Sequence, residues 1–241
     1  PIDPARRYRL RGRMRSCEDF ILAVRAGFMH QPRWGTLHEV TASELGIGPG
    51  DEVDLVLGDG GDVPLPEGGA VASIREYYFA WRDEEPAVLT IECLDDGPTD
   101  DGPTDDGPTH DGPSGGGRDE PPLAARLADA VAAVEQSLEY WNAYLRDRRT
   151  ESPPNTFAPA LKLAKGLDAA RYGFCFWDLA PGEALVVDTD VPDARYWSFQ
   201  LYELGWFRLV DVTDRQSTLN HTQVVPDGDG RARVVVSAAD P

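Results

Sequence analysis

Residues 1–94 alternate short apolar runs with turn-rich segments, which is the pattern of a β-rich region. Between residues 8 and 14, apolar side chains alternate with arginines at a period of two, the repeat of a half-buried strand. Further apolar runs follow between glycine- and proline-containing turns: Phe20 to Val24, Leu55 to Leu57, Val71 to Phe79 and Ala87 to Cys93. Short strands at this spacing are typical of a β-sandwich or a jelly roll.

Residues 95–120 interrupt this pattern with five-residue repeats that contain no core-forming side chain. The repeats read DDGPT, DDGPT, DDGPT and HDGPS over residues 95–114. Eight aspartates, one glutamate and one arginine give residues 95–120 a net charge of −8. Calcium loops need acids at alternate positions and a distal glutamate, whereas these acids are adjacent. We therefore predict a disordered acidic linker.

After the linker the apolar period lengthens to that of a helix. Apolar residues step by three and four: Leu123, Leu127, Val131, Val134, Leu138, Trp141 and Leu145. Proline pairs stand before and after this stretch, so we predict an amphipathic helix over about 123–148. A weaker helical pattern continues at 157–167, which makes residues 121–172 a predicted helical segment. Strand-like runs then resume and make 173–241 a second β-rich region.

The predicted fold class is therefore mainly β. We expect a β-sandwich or jelly-roll-like assembly built from both sides of the linker, with the helix at about 123–148 packed against it. The helix is expected to pack there because an amphipathic helix must bury its apolar stripe.

Composition places the chain among acidic proteins with a sizeable core. Its 42 acidic and 23 basic residues give a net charge of −19, and nucleic-acid binding, which requires clustered cations, is not expected. No apolar run reaches the ~18–20 residues of a membrane helix and no signal peptide is visible, so we expect no membrane partner and a cytoplasmic location. Three widely spaced cysteines fit neither a disulfide framework nor a zinc site.

Several mostly aromatic motifs resemble a known family. They are Asp178-Leu179, Glu183 to Val187, Tyr196 to Leu201, Ser217 to Asn220 and Asp240-Pro241, with Tyr8 to Gly12, Arg75 to Phe79 and Glu139 to Asn142 upstream. Together they resemble the domain of unknown function 1214, in particular the longer actinobacterial proteins that carry it. The resemblance implies a β-sandwich and a bacterial source, and it assigns no activity. It also implies an internal fragment that begins before residue 1 and continues past residue 241.

Alternating arginines are the most unusual feature of the first strand: Arg7, Arg9, Arg11, Arg13 and Arg15. They would project from one face about 6.6–7 Å apart. One interpretation is an anion-binding face, centred on the middle three, for carboxylate, sulfate or phosphate groups. The other interpretation is a solvated outer face balanced by acids on neighbouring strands, such as Asp51, Glu52 and Asp54.

The predicted strand at 195–201 separates two kinds of side chain. Trp197, Phe199 and Leu201 would face the core, and the opposite face would carry Tyr196, Ser198, Gln200 and Tyr202. Such a face is suited to stack on and hydrogen-bond to a sugar or another flat polar ligand. The alternative is that this face packs against the long helix or a second subunit.

A candidate catalytic set combines Glu76, Asp178, Asn220 and His221. We pair Glu76 with His221, because a carboxylate beside a histidine holds its tautomer and raises its basicity. Arg75 occupies the opposite face of the strand from Glu76 and would face the alternating arginines. The alternative for His221 is a lone surface histidine.

The sequence lacks the motifs that usually indicate a metal or a cofactor. It contains no HExxH or H-x-H spacing, no phosphate loop, no dinucleotide fingerprint and no nucleophile elbow, so we expect neither a metal nor a cofactor. The sequence therefore favours a bacterial small-molecule-binding, glycan-binding or assembly module, and it leaves a homo-oligomer open. The alternative is a hydrolase with its site near Glu76, Asp178, Asn220 and His221.

Overall fold

The computed structural model describes residues 1–28, 30–96, 121–163, 166–205, 207–211 and 213–238. The linker predicted at 95–120 falls outside the described residues apart from its first two. The described strands are β1 (Tyr8–Arg13), β2 (Asp19–Arg25), β3 (Thr36–Thr41), β4 (Glu52–Leu57), β5 (Val71–Tyr77), β6 (Val88–Cys93), β7 (Ala184–Asp190), β8 (Ser198–Gln200), β9 (Thr218–Asn220) and β10 (Arg231–Ser237). The long helix is α1 (Leu123–Arg149).

Two three-stranded antiparallel sheets, β4–β1–β6 and β3–β2–β5, form the first half of the structure. They pack face to face through the apolar side chains that the two sheets direct toward each other. Tyr8 and Leu10 of β1 meet Phe20, Leu22 and Val24 of β2 in one core. Two smaller antiparallel pairs, β7 with β10 and β8 with β9, follow α1. The predicted mainly β fold with one long helix is confirmed.

Strand β2 is buried on both of its faces. While its even-numbered residues enter the sandwich core, Ile21 and Ala23 point to the opposite side and pack against Leu167. The segment at 166–172 therefore crosses the outer face of the β3–β2–β5 sheet. Glu39 of β3 holds this segment by accepting hydrogen bonds from two of its backbone N–H groups, at 2.8 and 2.6 Å.

The helical segment predicted at 121–172 is wrong beyond residue 149. Residues 157–163 are extended and run antiparallel to 172–176, with paired backbone hydrogen bonds of 2.9 and 2.8 Å between Leu161 and Tyr172. Pro159 explains the difference, because proline lacks an N–H group and disfavours the helical conformation in the residue before it.

The helix buries apolar side chains in its C-terminal turns, while Asp129 in its N-terminal half lies 3.0 Å from the His30 ring. Trp141 stacks on Phe207 with ring centroids 5.0 Å apart, and Leu145 is buried. The first four turns leave their apolar side chains exposed: Leu123 (67%), Leu127 (57%), Val131 (55%) and Val134 (49%). The prediction that the whole helix packs against the sandwich is therefore wrong for its N-terminal half. Within the described chain, no helix is both long enough and apolar enough to cross a bilayer.

A buried carboxylate joins the two β-rich regions. Asp19, at the start of β2, is 5% exposed and accepts a hydrogen bond from Arg195, which lies just before β8. Ser43 donates its hydroxyl to the same carboxylate at 2.8 Å, and Arg195 also reaches Glu18 at 3.3 Å. Since a buried charge without a partner costs several kcal/mol, this pair fixes the position of the second region relative to β2.

We expect Trp141→Ala to destabilise the protein and Val131→Ala to have little effect. The tryptophan is half-buried against an aromatic ring, so its truncation should cost about 2–3 kcal/mol, below the ~3–5 kcal/mol of a fully buried ring. The exposed valine should stay within about 0.5 kcal/mol. Urea unfolding followed by circular dichroism measures both values, and equal losses would show that the N-terminal half is also packed.

We expect Arg195→Gln to cost more stability than the double change Arg195→Gln with Asp19→Asn. The single change leaves a buried carboxylate without its counter-charge, at a cost of about 2–3 kcal/mol, or about 5–10 °C in Tm. The double change removes that charge while keeping an acceptor for the backbone N–H of Phe20. Thermal unfolding of the three proteins decides, and a double variant no more stable than the single one would contradict the assignment.

Candidate functional site

A cleft of about 2640 Å³ separates the outer face of the β3–β2–β5 sheet from the second β-rich region. Aromatic side chains dominate its walls: Tyr77, Tyr140, Trp141, Tyr172, Phe174, Tyr196, Tyr202 and Phe207. Typical small-molecule pockets measure ~300–1,000 Å³, so a ligand would occupy only a part of this cleft.

Residues of both predicted faces of the 196–202 segment line this cleft. Trp197 and Phe199 pack in a separate core with Val234, as the alternation requires. On the other face, Tyr202 donates its hydroxyl to the side-chain oxygen of Gln200 and stacks on Phe207 at 4.3 Å. The expected core packing of Trp197 and Phe199 is therefore observed, while the predicted ligand-binding role of Tyr196, Gln200 and Tyr202 stays a prediction.

Tyr196 sits deeper than the other two. Its ring meets Tyr77 edge-on at 5.2 Å and lies nearly parallel to Phe79 at 6.2 Å. These contacts attach the start of β8 to the end of β5, so Tyr196 forms part of the wall that closes one end of the cleft.

Both carboxylate oxygens of Glu76 accept hydrogen bonds from nearby residues. One carboxylate oxygen accepts the backbone N–H of Ala87 at 2.8 Å, and the other accepts the hydroxyl of Tyr78. Burial raises the pKa of Tyr78, and the bond to the carboxylate raises it further, so the phenol stays protonated. Because both oxygens are satisfied, Glu76 binds structural partners in this structure.

His221 lies in an aromatic box and not beside Glu76. Its ring meets Phe79 edge-on at 4.4 Å and Tyr196 at 5.5 Å, and its backbone N–H donates to the carbonyl of Trp197. Its Nδ1 atom is buried and has no hydrogen-bond partner in the part of the chain that the structure describes. The predicted Glu76–His221 hydrogen bond is absent from the described residues, and the alternative of a lone surface histidine is also wrong.

Asn220 and Asp178 form hydrogen bonds with different parts of the chain. The buried Asn220 amide donates to the carbonyls of Tyr78 (3.1 Å) and Phe79 (2.8 Å) and so joins β9 to the end of β5. The backbone of Asp178 exchanges hydrogen bonds of 3.0 and 2.9 Å with the Asn155 side chain. No hydrogen bond between described residues joins any two of the four catalytic candidates, so they do not form a catalytic set here.

Two of the alternating arginines of β1, Arg9 and Arg11, pair with acids on neighbouring strands, as the second interpretation of that face proposed. Arg9 forms a two-point pair with Asp54 at 2.7 and 2.5 Å, and this pair holds the pKa of the carboxyl below its ordinary value. Arg11 pairs with Glu92 of β6 at 3.4 Å, and Arg13 donates to a backbone carbonyl. An anion-binding face is therefore not favoured, because neighbouring strands already supply the acids in register.

The sequence reasoning missed the polar side chains on the floor of the cleft. Arg75 points into the cleft and donates to the Tyr172 hydroxyl at 3.3 Å, rather than facing the arginines of β1. Arg25, at the end of β2, lies on the same face of this sheet. Odd-numbered residues of β2 and β5 share one face of the sheet, which places Arg25 and Arg75 together. The sequence could have shown this only if the pairing of these two strands had been known.

Metal-ligating side chains do not gather in the described residues. Within them, no group of three or more histidine, cysteine or acidic side chains is placed to hold a metal ion. The three cysteines are free thiols, and burial raises the pKa of Cys17 and Cys175.

Comparison with known proteins places this arrangement in a β-rich fold seen before. The chain is similar over its whole length to the crystal structure of an uncharacterized protein from Burkholderia cenocepacia, with a TM-score of 0.78 and 25% sequence identity. The chain spans 64% of the length of that protein. No protein-family model matches the chain, and a search of curated proteins finds no match.

We expect Asn220→Asp to be strongly destabilising and Gln216→Glu to be nearly neutral. Both changes turn an amide into an acid, but only the first places a buried carboxylate against two backbone carbonyls. The expected loss is about 2–4 kcal/mol for Asn220→Asp and within about 0.5 kcal/mol for the exposed control. Urea unfolding at neutral pH measures both, and a mild Asn220→Asp would argue that the junction between β5 and β9 is not tight.

Proposed function

We propose that this chain is a small-molecule-binding module whose ligand lies in the aromatic cleft. The observation that carries the proposal is the face formed by Gln200, Tyr202 and Phe207 across from the β3–β2–β5 sheet. Flat aromatic walls with a few convergent polar groups are the usual lining of a site for a sugar or another planar ligand.

The proposal extends to the setting of the protein. We propose that the chain is bacterial and related to the domain of unknown function 1214, which its aromatic strand motifs resemble and which assigns no activity. A cytoplasmic location is supported by the three free thiols. A homo-oligomer stays a prediction.

A hydrolase is less well supported. Glu76 and Asn220 spend their polar atoms on structural hydrogen bonds, and His221 has no carboxylate partner among the described residues. A thiol nucleophile gains little support either, because burial raises the pKa of Cys175 and so disfavours the thiolate.

A panel of neutral monosaccharides and flat heteroaromatic amides tests the binding function. A ligand at a concentration of about 100 times its Kd should raise the free energy of unfolding by about 2.7 kcal/mol, or Tm by about 5–10 °C. It should also change the fluorescence of Trp141, which lies beside the cleft. Gln200→Ala should weaken binding about tenfold by removing a hydrogen-bonding group.

The matched control is Arg11→Ala, on the opposite sheet, which should bind as the parent does. The proposal fails if no compound binds, or if Gln200→Ala and Tyr202→Ala leave the affinity of every bound compound unchanged.

A further inference from the structure

Arg75 differs from the other cleft-lining arginine whose partners are described above. Arg195 is held by the carboxylates of Asp19 and Glu18. The described hydrogen-bond partner of Arg75 is the neutral Tyr172 hydroxyl, and no described carboxylate forms a salt bridge with it. Its positive charge is therefore presented to the cleft without a neutralising acid from the described chain.

The guanidinium of Arg75 is hydrogen-bonded to the Tyr172 hydroxyl and influences the pKa values of Tyr77 and Tyr202. Burial raises the pKa of Tyr202, the nearby Tyr172 hydroxyl adds to the effect, and the charge of Arg75 opposes it. Burial likewise raises the pKa of Tyr77, and Arg75 again opposes the rise. Arg75, Tyr77, Tyr172 and Tyr202 thus interact electrostatically as one group, which we name the arginine–tyrosine cluster.

A second positive charge lies on the same face of the sheet. Burial lowers the pKa of Arg25, and the like charge of Arg75 lowers it further. Glu39 of β3 acts in the opposite direction on the pKa of Arg25, and its two oxygens accept backbone N–H groups at 2.8 and 2.6 Å. Arg25 and Arg75 thus place two positive charges on this face of the sheet in a chain whose net charge is −19.

We propose that the cleft binds a small carboxylic acid, with its carboxylate on Arg75 and Tyr172 and its ring against the aromatic wall at Tyr202. This inference rests on the proposed binding function and adds the charge of the ligand. A guanidinium presents a planar fork that matches the two oxygens of a carboxylate. Tyr172 accepts from Arg75, so its own O–H remains able to donate to the bound acid.

Matched pairs of acid and neutral compound test the charge of the ligand. Benzoate with benzamide, and galacturonate with galactose, differ at the carboxylate and keep the ring. By isothermal titration calorimetry at pH 7, each acid should bind the parent about 10–100-fold more tightly than its neutral partner, the value of a hydrogen bond to a charged group.

Arg75→Gln should abolish this preference while leaving the affinity for benzamide and galactose unchanged. Arg9→Gln, the same change on the outer face of the sandwich, should keep the preference. Arg75→Lys retains the positive charge but lacks the planar guanidinium, so it should keep only a part of the preference for the acid. This variant also tests the proposal if Arg75→Gln does not fold.

Two outcomes separate the inference from the function beneath it. If the neutral compounds bind as tightly as the acids, or if both Arg75 variants keep the full preference for the acids, the proposed carboxylate site is wrong. The proposed small-molecule-binding function would still hold. If no member of either pair, and none of the neutral panel, binds the parent protein, both are wrong.

Discussion

The two-sided burial of β2 constrains the rest of the structure. Phe20, Leu22 and Val24 pack into the sandwich core, while Ile21 and Ala23 must be covered from the other side. That cover comes from the segment around Leu167, which lies after the helix in sequence. A central strand whose two faces are both apolar therefore forces the distant second half of the chain to fold back onto the first.

Polar side chains then fix how the second half sits. Three polar connections join the β3–β2–β5 sheet to the later region: Asp19 with Arg195, Glu39 with the 168–169 backbone, and Asn220 with the carbonyls that follow β5. Buried polar groups demand specific partners, so these connections define position where apolar packing alone does not. The cleft lies between this sheet and the later region that these connections hold.

Charge neutralisation separates the two groups of arginines. On the outer face of β1, residues on β4 and β6 supply carboxylates to Arg9 and Arg11. On the cleft floor, Arg75 meets tyrosine hydroxyls instead. A row of arginines along one strand is thus weaker evidence for a binding site than a single arginine in a cleft, since acids on neighbouring strands commonly balance such a row. We therefore assign the carboxylate site to Arg75, whose described hydrogen-bond partner is neutral.

The sequence by itself determined the mainly β class, the helix start near residue 123 and the core packing of Trp197 and Phe199, because these depend on local periodicity. It did not reveal β3 (Thr36–Thr41), whose polar residues form a strand only by pairing with β2. Tertiary structure alone decided that His221 lies against Phe79 rather than Glu76, and that Arg75 meets Tyr172. Those neighbours are about 100 residues or more apart, and periodicity carries no information on which strands pair.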